Sequence, residues 1–258
     1  MDAIVTAGGT PRIKEPLYAQ TQGGYKAMLN ILDRPMIQWV LDALDGASGV
    51  DRVVVVGLPP AADLKSHKLA AVIEDHGDML ANNRAGAEYL AAGSGPDARV
   101  LTVASDIPTI TAQMVDWLVE QVQASDHDFY YQVVERKVME TRFSGSRRTY
   151  TSFKDVEVCG GDLNAYRLGL VTEPNALWNK LIDARKSPLR QASLLGYDTL
   201  LMVALRQLTL QEAERVVSSR LGIRGRVILS PYAEMGMDVD KPFQLDLVRA
   251  ELGRAKSL

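Results

Sequence analysis

MDAIVTAGGTPRIKEPLYAQTQGGYKAML, residues 1–29, decides how the rest of the chain is read. Ala3–Ala7 is an apolar run that stops at Gly8-Gly9, and a polar, glycine-containing stretch carrying Arg12, Lys14 and Lys26 follows. A strand apolar on both faces belongs inside a covered, parallel sheet. Two glycines at its end let backbone amides come close to a ligand, since no side chain intervenes. Successive N–H groups in such a turn make an anion-binding concavity, and the three cations would neutralise a polyphosphate. The stretch lacks the Gly-Lys-Ser/Thr ending of a P-loop and the Gly-x-Gly-x-x-Gly fingerprint. Its bland alternative is a tight turn with solvated lysines.

Outward from this segment, strands and helices alternate. Pro35–Leu44 has apolar residues at helical spacing, with Pro35 suited to a first turn. Asp51–Pro59 holds four consecutive valines and reads as a second buried strand, and Leu69–Gly77 as a shorter one. Met79–Gly93 is a predicted helix, Ala98–Pro108 a third strong strand, and Thr111–Ala124 a helix with Thr109 or Thr111 as cap. The pattern predicts an α/β fold, a three-layer α/β/α arrangement around a mostly parallel mixed sheet. Ligands then sit at the C-terminal ends of the strands, so the polar residues after Val5, Val56 and Ala104 should share one edge.

The second half changes character. Asp128–Phe143 is aromatic and β-branched, a strand or hairpin, with a hairpin expected over 128–158 that could sit at an edge or pair two copies. Residues 144–155 read as a polar, basic loop, and Val156–Val171 returns to strand character broken by Gly160-Gly161. Pro174–Leu221 is helical in pattern, a helical insertion over 174–222 in which Thr209 caps a helix ended by Gly222. Gly225–Tyr232 is a last strand, and a closing helix begins near Pro242. The 258 residues fit one domain with insertions.

A net charge of −3 gives no global attraction to nucleic acid, so any anion site is local. The single cysteine, Cys159, excludes a disulfide framework and a cysteine-built zinc cluster, and reads as a buried thiol. No apolar run reaches the ~20 residues of a membrane span. No secretory signal is recognisable, so a cytoplasmic protein is expected. His67, His76 and His127 have no carboxylate at metal-ligand spacing and read as surface residues, while Trp39, Trp117 and Trp178 read as packing anchors. Arg147-Arg148 and Lys186–Arg190 read as solvated, or as contacts for a phosphorylated acceptor.

Two acidic elements complete the reading. Asp106 in Leu101–Thr111, LTVASDIPTIT, ends a strand just before Pro108, where a carboxylate either caps the turn or serves as a hard oxygen ligand for Mg2+. In Glu234–Val248, EMGMDVDKPFQLDLV, Asp238 and Asp240 alternate around Val239, and in an extended segment both face one side. One would ligate the metal and the other would position it or cap the following helix.

TAGGTPR (6–12), with YKAMLNILDRPMIQWVLDAL (25–44), resembles the opening of the GT-A-like nucleotidyltransferases, among them the MobA-like guanylyltransferases and the sugar-phosphate and cytidylyl transferases. ASDIP (104–108) is similar to the family's metal-binding turn and DVDKPFQLDLVRAEL (238–252) to its end. The resemblance implies that Ala7, Gly8, Gly9 and Lys14 meet the nucleotide and that Arg12, Lys26 and Asp106 are catalytic. It implies that Asp106 and Asp240, less surely Asp238, hold Mg2+. DMLANNRAGAEYLA (78–91) resembles the base-contacting segment, implicating Asn82 with Gly86 as its marker; VCGGDLNAYRL (158–168) resembles an acceptor strand, implicating Gly161, Asp162 and Asn164. The implied reaction moves an NMP from an NTP, CTP or GTP, to a phosphorylated small-molecule acceptor, with a homodimer as a possible assembly. A GT-A glycosyltransferase using a nucleotide sugar and a catalytically inactive nucleotide-binding protein stay open as alternatives.

Overall fold

The computed structural model describes residues 1–173 and 196–255. Its strands are β1 (Asp2–Thr6), β2 (Asn30–Ile31), β3 (Arg34–Pro35), β4 (Val53–Val56), β5 (Leu69–Ile73), β6 (Arg99–Ala104), β7 (Phe129–Glu135), β8 (Thr151–Ser152), β9 (Glu157–Gly160), β10 (Leu163–Arg167) and β11 (Gly225–Ser230). Its helices are α1 (Tyr18–Thr21), α2 (Met36–Gly46), α3 (Met79–Ser94), α4 (Ala112–Gln123), α5 (Arg136–Arg142), α6 (Gly169–Thr172), α7 (Tyr197–Ala204), α8 (Leu210–Leu221) and α9 (Pro242–Ala255). The central sheet runs β5-β4-β1-β6-β10-β7-β9-β8, with β11 beside β7. All of its strands but β9 and β10 point the same way.

Side chains on a strand alternate between faces, and here both faces are covered. Ala3, Val5, Val53, Val55, Leu101 and Val103 enter one core with α2 and α4. Ile4, Val54, Val56 and Val100 enter another with α3 and α6. All four valines of β4 are fully buried, each contributing roughly 1.5 kcal/mol or more by leaving water. That explains a strand written as an unbroken apolar run. A third cluster, holding Ile31, Met36, Val134, Met139, Val239 and Leu245, joins α5 and α9 to the sheet.

Thr6 of β1 lies in register with Val56 of β4 and Ala104 of β6, so these strands end at one edge and the loops after them meet there. The capping box at Thr209 and the left-handed Gly222 bound α8 as expected.

The second half departs from expectation at the aromatic segment. β7 passes into helix α5 instead of a hairpin, and its partner β9 comes only after that helix. β7 is an inner strand flanked by β10, β9 and β11, so it is neither an edge strand nor a free pairing ribbon. Burial decides this: Tyr130, Gln132 and Val134 are fully covered on one face, which an edge hairpin could not provide. The portion of the helical block at 174–195, with Trp178 and Lys186–Arg190, lies outside the described residues. No helix among the described residues is long and apolar enough to cross a membrane.

Candidate active site

The loop after β1 is pinned from below. Ala7 N–H donates to Val56 O at 2.8 Å, and Gly57 N–H to Ile73 O at 2.8 Å. Gly57 has φ +111°, and a Cβ on it would lie 2.1 Å from Gly8 N. Only glycine lets the two backbones approach so closely. Gly8 and Gly9 are thereby held exposed at the sheet edge. Next to them, the buried Asn82 donates from Nδ2 to Asp75 Oδ1 at 2.8 Å and accepts from His76 N–H at 2.7 Å. A Cβ on Gly8 would lie 2.7 Å from Asn82 Nδ2. Asn82 therefore shapes the wall beside the glycine loop. Gly86 lies one turn further along α3, where a Cβ would come 2.8 Å from Ile4 Cγ2, so it sets the approach of α3 to β1.

Lys26 connects the glycine loop to the acidic turns. Its backbone N–H donates to Gly9 O at 3.1 Å. Its ammonium donates to Asp106 Oδ2 at 2.5 Å and pairs also with Asp240 Oδ1. Burial alone would pull the Lys26 pKa down, but the Asp106 and Asp240 carboxylates more than offset it, and the pKa is raised. The two distant acidic turns thus converge opposite the glycine hinge. Asp106 O accepts from Val239 N–H at 3.0 Å, which ties the 238–240 segment to the end of β6. Asp106 Oδ1 is buried and has no hydrogen-bond partner.

Asp238 points elsewhere. It forms an ion pair with the half-buried Arg148, whose Nη2 also donates to Gly160 O at 3.2 Å and lies 3.7 Å from Asp162 Oδ2. Val239 is fully buried between the two aspartates, and the two carboxylates take different partners: Asp238 pairs with Arg148 and Asp240 with Lys26. Arg148 is likewise not a solvated loop residue: it fastens the 144–150 loop to this acidic segment. Nothing local in the sequence marks it, because its partner lies 90 residues away. Asp75 carried a legible signal, a carboxylate just past a parallel strand, the same logic that marks Asp106.

Between β9 and β10 the chain bulges at Gly161 and Asp162. Gly161 N–H donates to Gln132 O at 2.9 Å, Asn164 Oδ1 accepts from Gln132 N–H at 2.8 Å, and Asn164 Nδ2 donates to Gly161 O at 3.1 Å. Asn164 thus holds the bulge closed. A Cβ on Gly161 would overlap the Gln132 amide at 1.3 Å. The bulge presents Asp162 to the site, and its carboxyl pKa is pushed up to about 7 by burial and by the Asp106 carboxylate, with Arg148 opposing. Arg12 and Lys14 remain on the exposed loop, without a side-chain ion pair or hydrogen bond among the described residues.

The raised Asp162 pKa carries a stability consequence. Asp162 is protonated in the fold and ionised in the unfolded chain between about pH 4 and 7, so it disfavours folding increasingly as pH rises through that window. The groups facing it are Asp106, Asp240, Arg148 and Lys26, with Tyr131 and Cys159 alongside. Asp162→Asn is expected to be more stable than the parent at pH 8, by at most about 4 kcal/mol. The gap should shrink to less than half at pH 5 and close below about pH 4. Urea denaturation of both proteins at the two pH values measures it; an equal gap at both would refute the assignment.

Among the described residues no three His, Cys, Asp or Glu side chains gather to form a metal cage. The arrangement is instead an open pair of carboxylates around a lysine, beside the Gly8-Gly9 loop. A MobA-like NTP transferase domain model matches residues 3–221. A hypothetical transferase from Thermus thermophilus is similar at 32% identity over 95% of this chain and 98% of its own, with a TM-score of 0.81. A CMP:2-keto-3-deoxy-manno-octonic acid synthetase complexed with CTP aligns at 16% identity, covering 98% of both chains, with a TM-score of 0.60. A 4-diphosphocytidyl-2C-methyl-D-erythritol synthase from Anaerococcus prevotii aligns at 11% identity, covering 98% of this chain and 96% of its own, with a TM-score of 0.58. A search of curated proteins found no match.

Proposed function

The chain belongs to the MobA-like NTP transferase family and is a nucleotidyltransferase, and from that premise we propose that it moves an NMP from an NTP to a phosphorylated small-molecule acceptor in a Mg2+-dependent reaction. The observation that carries this reading is the Lys26 ammonium held between Asp106 and Asp240 beneath the Gly8–Gly9 loop. Attack on the α-phosphorus of a triphosphate needs such a set: amides and a cation for the phosphates, and carboxylates for a divalent ion.

The residues fit Mg2+. Asp106 Oδ1 is a buried hard oxygen with no other partner, and Asp240, 57% exposed, pairs with the same lysine through one oxygen. Two carboxylates with phosphate oxygens and water are the usual protein share of a Mg2+ shell. When bound, the ion would neutralise charge that grows on the phosphates.

The chain's own groups do the rest. Gly8 and Gly9 offer backbone N–H groups to the phosphates, and Lys26 adds its charge next to them. Arg12 is proposed to reach the triphosphate from the exposed loop, with Lys14 the alternative. Asn82 and Asp75 border the space in which the base would lie. An acceptor phosphate oxygen bonds to the α-phosphorus, the bond from that phosphorus to the bridging oxygen breaks, and its electron pair leaves with pyrophosphate. An acceptor oxygen that is already anionic needs little general-base help. CTP and GTP are the expected donors, CTP supported by the CTP-bound structural neighbour.

The test is thermal stabilisation by each of the four NTPs with and without Mg2+, followed by pyrophosphate release with the NTP that binds. Stabilisation by CTP or GTP that is lost on adding EDTA is expected. Absence of stabilisation by any NTP would overturn the reading, and metal-independent binding would remove its Mg2+ part.

A further inference from the structure

A cavity of about 390 Å³ opens from the acidic site on the α3 side of the sheet. Asp162 and Thr6 stand at its mouth, and Leu80, Tyr131, Tyr166, Leu170, Leu221 and Ile223 supply its walls. Tyr131 stacks on Phe129 with ring centroids 6.4 Å apart and planes at 16°, a rigid aromatic wall. A largely apolar cavity with a polar mouth at a catalytic site is where a ligand is expected.

The lining excludes more than it admits. No lysine or arginine lines the cavity among the described residues, so its described walls offer a phosphate no cation. The polar side chains along it already hold hydrogen bonds. Thr102 Oγ1 donates to Asn83 Oδ1 at 2.8 Å, Asn83 Nδ2 to Met79 O at 3.0 Å, and Thr6 Oγ1 to Val103 O at 3.4 Å. Asn164 closes the bulge with both of its amide groups. Among the described residues, Asp162 and the Tyr131 hydroxyl are the lining side-chain groups that hold no hydrogen bond. A polyol buried here would leave most of its hydroxyls without a partner, and an unmade buried hydrogen bond is costly. An alkyl, prenyl or aromatic group would fill the space without that penalty. Met79 and Tyr131, both on the lining, are 67% and 41% exposed, a cost in apolar hydration that such a guest would relieve.

We propose that this cavity binds the organic part of the acceptor, and that the acceptor is a phosphate monoester of an apolar alcohol rather than of a polyol. The inference rests on the nucleotidyltransferase reading above. The acceptor phosphate stays at the mouth beside Lys26, where its oxygen bonds to the α-phosphorus as pyrophosphate departs with the bridging electron pair. The product is a nucleoside diphosphate esterified through its β-phosphate to the apolar group.

The experiment compares geranyl phosphate, phenyl phosphate and glycerol 3-phosphate on the full chain with Mg2+ and the NTP that binds. Geranyl phosphate is expected to give a kcat/KM for pyrophosphate release about a hundredfold or more above that of glycerol 3-phosphate. Leu170→Trp, which fills the cavity, should cut geranyl phosphate use at least about tenfold while thermal stabilisation by the NTP persists as the check on folding. Calorimetric titration of geranyl phosphate into the parent protein keeps binding separate from turnover. Equal or better use of glycerol 3-phosphate, or no binding of geranyl phosphate with the NTP bound, would overturn the inference and leave the nucleotidyltransferase reading standing. That reading fails separately, if no NTP binds.

Discussion

Asp106→Ala is expected to lower NTP-dependent pyrophosphate release by at least about a hundredfold while the fold persists. The magnitude follows from the group's position. Asp106 holds Lys26 with one oxygen and keeps the other buried and unpartnered, beside the lysine and Asp240. Removing a charge that acts on the phosphates only as they react typically costs about 2.7–4 kcal/mol in the barrier. Stability should change little. Lys26 retains Asp240, and Asp162 loses the carboxylate that most opposes its ionisation. Asp106→Asn keeps the shape and removes the charge, so it separates electrostatics from packing and should be nearly as inactive. Steady-state pyrophosphate release and far-ultraviolet dichroism on the three proteins measure both effects. Turnover in the alanine variant at the parental rate would dissolve the proposed metal site.

The second large effect is structural and lies one residue beyond a strand. Gly57→Ala should abolish NTP binding and destabilise the fold by about 3 kcal/mol. Its φ of +111° is a conformation that L side chains rarely adopt, and the added Cβ would sit 2.1 Å from Gly8 N and 2.4 Å from Gly8 Cα. Those atoms are backbone and cannot swing aside as a flexible side chain would. The loop is also riveted on both flanks, by Ala7 to Val56 and by Gly57 to Ile73, so the collision must displace the Gly8–Gly9 turn. A loss of about 3 kcal/mol corresponds to a fall in Tm of roughly 6–12 °C for a chain of this size. Gly253→Ala is the control, since a Cβ there meets nothing within 4 Å in helix α9. It should be neutral or slightly stabilising. A Gly57→Ala protein with parental Tm and unchanged stabilisation by NTP would show that the loop bends freely, against the geometry.

Legibility along the chain followed the range of the interactions involved. β1, β4 and β6 were readable because burial on both faces writes itself as an apolar run. The glycine loop and Asp106 were readable as breaks in such runs. The choice between Lys14 and Lys26 was not, since both follow Gly9 on a polar stretch; a backbone bond from Lys26 N–H to Gly9 O, closing a loop of intervening residues, brings Lys26 inward. The same holds for Asp240 over Asp238. Alternation around Val239 could not tell the two aspartates apart, whereas the structure pairs Asp238 with Arg148 and Asp240 with Lys26.

By itself, then, the order of residues determined the layered α/β plan, the edge at which the loops meet, and the residue types available for phosphate and cation chemistry, because strand periodicity, helix caps and glycine turns are local properties of the chain. Which carboxylate faces the lysine, that β7 lies inside the sheet, and that an apolar cavity opens beside Asp162 were decided by tertiary structure alone. Each depends on contacts between segments tens to hundreds of residues apart, and the energies of burial and charge pairing that choose among them exist only once those segments pack.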